Sequence, residues 1–144
     1  MISYTPATET DLEAIYQLLE MNNLPHSDLK ESPITFFVAR NHSKVLGCIG
    51  LEQYGAHGLL RSFAVDPEQQ NKGIGKELYK NLLTYAVSNQ IRTIHLLTNT
   101  AREYFGRIGY RLADRNLAPQ QIAASAEFAG LCPASSTYMV LDTI

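Results

Sequence analysis

The 144-residue sequence predicts one α/β domain, residues 1–144, built on a mixed sheet with helices on both faces. Three features predict it. Ile34–Arg40, Val45–Glu52 and Leu59–Val65 are β-branched or aliphatic runs separated by short polar turns, the pattern of an antiparallel meander. The third run leads through Asp66-Pro67 into an amphipathic helix, Gly73–Ser88. A further apolar run, Ile91–Thr98, follows that helix, and a strand–helix–strand succession of this length places the two strands parallel through a right-handed crossover.

The remaining elements follow from local signals. Ile2–Thr5 reads as a strand stopped by Pro6. Thr8 and Asp11 form a variant capping box, and Leu12, Ile15, Tyr16 and Leu19 repeat at helical spacing, so a helix is expected over Thr8–Met21. Asn22-Asn23-Leu24-Pro25 ends it, and His26–Ser32 has room for one more short helix before Pro33. Asn41-His42-Ser43-Lys44 turns the first two meander strands into a hairpin, with His42 a solvated turn residue. In the third strand, simple alternation puts Leu59, Arg61, Phe63 and Val65 on one face and Leu60, Ser62 and Ala64 on the other. The Gly73–Ser88 helix buries Ile74, Leu78, Leu82 and either Tyr85 or Ala86. Thr98-Asn99-Thr100 is a cap signal for a short helix over Ala101–Ile108, ended by Gly109 before a strand at Tyr110–Leu112. Asp114–Cys132 reads as a loop with one or two short helices, Pro119 serving a first turn, and Thr137–Leu141 as the last strand.

Composition excludes several classes. With 12 basic and 14 acidic side chains the net charge is -2, so no electrostatic footprint for nucleic acid is expected. The first residues lack a basic then apolar leader pattern, and no run reaches the roughly 20 apolar residues of a membrane span. Cys48 and Cys132 are widely separated and lack C-x-x-C spacing, which favours free thiols and a soluble, cytoplasmic protein over a disulfide scaffold. His26, His57 and His95 show no metal-ligand spacing, and no metal site is expected.

The chemically informative stretch is Ala64–Lys76. A strand ends in Ala-Val-Asp-Pro, and Gln70-Asn71-Lys72-Gly73-Ile74-Gly75-Lys76 carries the chain into a helix. Two glycines let the backbone N–H groups approach a ligand closely, and a helix N-terminus favours an anion such as a pyrophosphate. Lys72, Lys76 and Lys80 recur every fourth residue and should add three cations to one helix face. The stretch matches neither G-x-G-x-x-G, which would need glycine at Leu78, nor the P-loop, because Glu77 follows Lys76.

Gln70, Gly73 and Gly75 form a Q-x-x-G-x-G pattern that resembles the acyl-CoA-binding motif of the GNAT superfamily of N-acetyltransferases. Ala101-Arg102-Glu103-Tyr104-Phe105-Gly106-Arg107-Ile108-Gly109-Tyr110 resembles that family's second segment, A-x-x-F-Y-x-x-x-G-F. Leu24-Pro25, Asp28-Leu29, Gly50-Leu51-Glu52, Leu59-Leu60-Arg61-Ser62 and Leu131-Cys132-Pro133-Ala134-Ser135 are similar to the small GNAT proteins associated with arsenic resistance. The resemblance implies a GNAT-like mixed sheet and acetyl-CoA as cosubstrate. The pantetheine arm would lie between the Leu59–Val65 and Ile91–Thr98 strands, bonded by the backbone of Phe63, Ala64 and Val65. Gln70, Asn71, Lys72, Gly73, Ile74, Gly75 and Lys76 would hold the pyrophosphate, with Asn99 and Phe105 contacting the cofactor further along. The His26–Ser32 and Asn116–Cys132 segments favour an enclosed site and so a small-molecule amine as acceptor; charge and hydropathy point to no nucleic-acid or membrane partner, and a homodimer is left open.

Direct attack of the amine on the thioester requires a base. Glu52 at a strand end is the candidate. Arg61, with Ser62 and Leu24 beside it, is placed to contact the acceptor and could hold the carboxylate of an amino acid or analogue; an ion pair of Arg61 with Glu52 is the competing reading. Many family members carry tyrosine where this chain has Phe105, and Tyr104 should point about 100° away on the helix. Tyr138, Ser135 or Cys132 could then protonate the leaving thiolate, or it could leave unassisted. Two rival readings stand beside the enzyme: a non-catalytic CoA-binding module, favoured by Phe105, and a protein or peptide N-acetyltransferase.

Overall fold

The computed structural model describes residues 1–143, and they form a seven-stranded mixed sheet covered on both faces. The strands are β1 (Ile2–Pro6), β2 (Ile34–Asn41), β3 (Lys44–Tyr54), β4 (His57–Val65), β5 (Thr93–Thr98), β6 (Arg111–Leu112) and β7 (Thr137–Asp142). Their spatial order is β1-β2-β3-β4-β5-β7-β6. Neighbours are antiparallel except β4 and β5, which run parallel as the strand–helix–strand pattern predicts. The helices are α1 (Leu12–Met21), α2 (Ile74–Ser88), α3 (Arg102–Arg107) and α4 (Gln120–Ala123).

Two local expectations change. Thr8 N–H donates to Asp11 Oδ2 at 2.9 Å, the predicted capping box, but it closes a tight single turn over Glu9–Asp11 before α1 begins. His26–Ser32 forms turns and no helix. There Asp28 accepts from Ser32 Oγ and from Arg61 across the fold, so tertiary bonds set this backbone rather than local propensity.

The core has two sides. On one, α2 lays Ile74, Leu78, Leu82 and Ala86 on the sheet with Leu46, Ile49, Leu60, Ile94, Leu96 and, from α3, Phe105. Each aliphatic side chain fully buried there contributes about 1.5–3 kcal/mol. On the other, Ile15, Leu18 and Leu19 of α1 pack on Phe36, Val38, Cys48 and Ala64. Next to them Leu59, Ile122, Phe128, Tyr138 and Val140 form a second patch under the C-terminal segment. Among the described residues no helix is long and apolar enough to cross a membrane.

One irregularity in β4 shapes the site. Leu59 belongs to the C-terminal patch, whereas Phe63 and Val65 pack on the α2 side with Leu60. Simple alternation therefore fails between Arg61 and Phe63. The pairing with β3 slips between Cys48 and Gly50, and Ser62 takes φ +55°, so an extra residue bulges out of the strand. The expected shared face of Arg61 and Phe63 is thereby divided: Phe63 turns toward α2 while Leu59 stays on the opposite side.

Candidate active site: a cleft through the splayed sheet

β4 and β5 pair only through His57, Gly58 and Leu59 with Thr93, Ile94 and His95. Beyond Leu59 they diverge, while β5 stays paired with β7 as far as Thr98. The facing edges of Leu60–Val65 and Leu96–Thr98 thus present backbone groups that no neighbouring strand takes up, which is the binding surface an extended chain would use. A cleft of about 1210 Å³ runs through this gap.

At the α2 end the cleft reaches the predicted cradle. Gly73 has φ +83° at the start of α2 and Asn71 φ +67°, which swing the loop back so that Gln70, Asn71, Gly73, Ile74, Gly75 and Lys76 all line the cleft. The first bond of the helix runs from Glu77 N–H to Gly73 O at 3.1 Å, leaving the amides before it for a ligand. The two glycines serve differently. Gly73 is required by its backbone conformation, for a Cβ there would meet nothing within 4 Å, whereas Gly75 sits against Phe63 with its nearest atom 3.5 Å from the Cβ position.

The lysine stripe is reduced. Lys72 precedes α2, bonds Gln69 Oε1 at 3.3 Å and lies off the cleft, while Lys80 pairs with Glu77 at 3.6 Å. Lys76 alone of the three lines the cleft.

Phe63, Ala64, Val65, Asn99 and Phe105 line the cleft, and so do Arg61, Ser62 and Leu24. Asn99 does not cap α3; Thr98 Oγ1 accepts from Ala101 N–H at 3.0 Å, and Asn99 Oδ1 accepts from Ser136 Oγ at 2.6 Å. Tyr104 also lines the cleft, although helical spacing turns it away from Phe105. Both rings flank Phe63, at 6.5 and 6.4 Å between centroids, because the short α3 sets them astride that side chain.

On the sheet face opposite α2, six side chains converge. Arg61 Nη1 and Nη2 donate to Asp28 Oδ2 and Oδ1 at 2.6 and 2.7 Å, and Nη1 also donates to Glu52 Oε2 at 2.8 Å. Its Nε donates to Ser62 Oγ at 3.1 Å and lies 3.6 Å from Glu127 Oε2. Tyr54 donates its hydroxyl to Glu52 Oε1. Burial opposes the Arg61 charge, but its hydrogen bonds to Asp28 and the carboxylates of Glu127 and Glu52 outweigh that and raise its pKa. Burial likewise raises Asp28, yet the bonds from Arg61 and Ser32 leave it below the usual carboxylate range.

Two sequence candidates lie off the cleft wall. Glu52 is 1% exposed behind Arg61 and Tyr54. Tyr138 is buried in the C-terminal patch, where His95 Nδ1 and its hydroxyl are 2.7 Å apart. His95 Nε2 in turn lies 3.0 Å from His57 Nδ1, so two histidines with no common sequence pattern meet across the paired ends of β4 and β5. Among the described residues no group of three potential ligands gathers for a metal.

Glu127 was not anticipated. It is the one carboxylate lining the cleft among the described residues. It starts a wide helical turn, Glu127–Leu131, closed by Cys132 N–H to Glu127 O at 3.0 Å, a spacing that recurs at functional sites. Burial pushes its carboxyl up to about 7, with Arg61 opposing and Glu52 and Asp28 adding to the rise. Arg115 anchors the segment, donating to Phe128 O at 3.0 Å and Pro133 O at 2.8 Å. The sequence signal was a lone acid inside the apolar run Ile122–Leu131.

A mixed sheet split between two parallel strands, with an amide-lined turn at the open end, is an acyl-CoA N-acyltransferase fold. The model of the Acetyltransferase (GNAT) family matches residues 3–110, and the chain belongs to that family. It is 32% identical over 88 residues to an uncharacterized N-acetyltransferase of Chlorobaculum tepidum, a match covering 60% of this chain and 56% of that protein. The chain thus spans little more than half the length of that curated relative. N-acetylglutamate synthase from Neisseria gonorrhoeae, solved with coenzyme A and N-acetyl-glutamate, superposes with a TM-score of 0.84 at 20% identity, over 100% of this chain and 35% of that one. A Mycobacterium tuberculosis protein solved with CoA superposes with a TM-score of 0.79 at 24% identity, over 97% and 98% of the two chains.

Proposed function

We propose that this protein transfers the acetyl group of acetyl-CoA to the primary amine of a small molecule, by direct attack within a ternary complex. The observation that carries the reading is the continuity of the split between β4 and β5 with the amide-lined turn ahead of α2. That cavity fits a long, thin cosubstrate with a doubly anionic centre. The N–H groups and Lys76 of the cradle would hold the pyrophosphate, and the free edge of Phe63–Val65 would bond the pantetheine arm as an added strand does. A strand-edge N–H facing the thioester carbonyl would stabilise the developing oxyanion.

The acceptor approaches from the other sheet face. Arg61 is surrounded there by Asp28, Glu52 and Glu127, three carboxylates against one guanidinium. This charge balance supports an amine that enters as a cation and disfavours a carboxylate beside the amine, because the donors that would hold it are engaged. An amino acid or analogue, the acceptor that the Arg61 charge suggests from sequence, is therefore the second choice.

Purified protein with acetyl-CoA and paired substrates, tyramine against tyrosine and phenethylamine against phenylalanine, tests this by release of free thiol. Turnover on the amines is expected, with CoA binding confirmed by calorimetry. Turnover only on amino acids or their arsenical analogues would reverse the acceptor assignment. CoA binding without turnover on either set would favour a non-catalytic module or a peptide acceptor, and absence of CoA binding would overturn the reading altogether.

A further inference from the structure

We infer that Glu127 is the base that takes the proton from the attacking amine, and that Glu52 and Asp28 hold Arg61 in place beneath it. The inference rests on the acetyl-transfer reading above. It begins from an asymmetry among three carboxylates around one guanidinium. Those of Asp28 and Glu52 accept hydrogen bonds from Arg61, Ser32 and Tyr54. Glu127 stands apart from that network: the nearest cationic nitrogen, Arg61 Nε, is 3.6 Å away and gives its proton to Ser62. No buried side-chain oxygen among the described residues lacks a partner, so the unbonded carboxylate of Glu127 has its outlet in the cleft that it lines.

Position agrees with this role. The cradle and α2 occupy one sheet face, while Glu127 contacts Arg61 on the other and meets the cleft where the strands have parted. A base there stands on the amine's side of the thioester. The groups facing it are Arg61 from β4, Glu52 from β3, Asp28 from the turn before β2 and Cys132 from its own segment. Burial and the two neighbouring acids keep its proton affinity near that of a base working at neutral pH, with Arg61 limiting the rise.

The proton balance is simple. An acceptor arriving as an ammonium ion gives one proton to the Glu127 carboxylate. Its nitrogen lone pair forms the C–N bond at the thioester carbon, and the C–S bond breaks with its pair on sulfur. The second N–H proton released as the amide forms goes to that sulfur, and Glu127 returns its proton to solvent. Glu127 touches the substrate in this scheme and is catalytic, whereas Glu52 acts only through Arg61.

The experiment compares Glu127→Gln, Glu127→Asp and Glu52→Gln with the wild type, using acetyl-CoA and tyramine between pH 5.5 and 9.5. Wild-type kcat/KM should rise with pH and level off above about 7. Glu127→Gln should lose about 10²–10⁴-fold in kcat, the usual worth of a positioned base, with CoA affinity by calorimetry unchanged. Its residual rate should climb without a break toward the pKa of the amine, since only free amine then reacts. Glu127→Asp should retain the break near neutrality at reduced rate, which keeps the test valid if the glutamine variant folds poorly. Glu127→Gln with wild-type rate and profile, or Glu52→Gln abolishing the break while still binding CoA, would overturn the assignment alone. A wild type that binds CoA but acetylates no amine would overturn it together with the reading beneath it.

Discussion

Arg61 Nη1 lies 2.8 Å from Glu52 Oε2, with the two side chains 0% and 1% exposed. A buried pair of this kind is stabilising mainly in the sense that neither partner can be removed alone. Asp28 holds the opposite edge of the guanidinium, so the turn before β2, the end of β3 and the middle of β4 are joined through one side chain.

Arg61→Ala should therefore destabilise the protein by about 3–5 kcal/mol, because it strands buried carboxylates without their cation. Glu52→Gln should cost clearly less, since Asp28 still holds the guanidinium. Urea unfolding at pH 7.5 measures both, and equal losses would show that Arg61 is not the hub of the cluster.

Stability should respond to pH through two groups of opposite sign. Glu127 rises from 4.5 to about 7 on folding, so its favourable contribution is complete below 4.5 and is lost as pH climbs through 7, a difference of about 3 kcal/mol. Glu127→Gln should accordingly raise Tm at pH 8.5, with the gain vanishing by pH 4.5. His95 is lowered from 6.5 to about 4, by burial first and then by the neighbouring charges of His57 and Arg111. Its contribution is complete above 6.5 and is lost as pH falls through 4, so His95→Gln should lessen acid sensitivity in that window. Melting curves from pH 4 to 9 for both variants read the two signs separately.

Much of the fold, and the glycine-bearing turn that enters α2, was legible in the sequence because both rest on local chemistry. Periodicity gave α2, turn residues gave the β2–β3 hairpin, and the glycine pair marked the turn into α2, where Gly73 takes φ +83°. The acceptor half was not legible, because tertiary contacts make it. Glu52 has the right residue type near a strand end, yet that it faces Arg61 and not solvent depends on the guanidinium from β4, itself held by Asp28 from the turn before β2. The bulge at Ser62 reverses the face of Phe63 without any glycine or proline to mark it. Glu127 sits in a segment whose wide turn has no simple period, and only its isolation among apolar neighbours hinted at burial.

The two cradle glycines should separate on substitution. Gly73→Ala forces a Cβ into the left-handed region, at a cost of roughly 1–2 kcal/mol, although no neighbour is struck. Gly75→Ala has no such strain and places its Cβ in ordinary contact with Phe63 and Val65, so stability should hold or rise by up to about 1 kcal/mol from helix propensity. Both should weaken CoA binding by about tenfold, ~1.4 kcal/mol, if the loop amides approach the ligand as described. Calorimetric titration with CoA beside thermal melts checks this, and unchanged affinity in Gly75→Ala would show that close approach there is not needed.

Arg115 should act as a positioning residue if Glu127 serves the acceptor. Its guanidinium lies 5.3 Å from the centre of the Phe128 ring and binds the carbonyl of Phe128, inside the turn that Glu127 begins, and that of Pro133, just after it. Phe128 packs edge-on to Tyr138 at 5.2 Å, which couples that turn to β7. Arg115→Ala removes three anchors, none of them in the Gln70–Lys76 cradle or on the β4 and β5 edges, so CoA affinity should be unchanged. The acceptor KM should rise and kcat fall about tenfold, the equivalent of ~1.4 kcal/mol in the transition state, because a loosened carboxylate spends less time in line with the amine. Arg115→Lys keeps a charge but cannot fork between two carbonyls, and should recover only part of the rate. Steady-state kinetics in both substrates decide it: a rise in the KM for acetyl-CoA with the acceptor KM unchanged would place the effect in the cradle and remove Arg115 from the acceptor side.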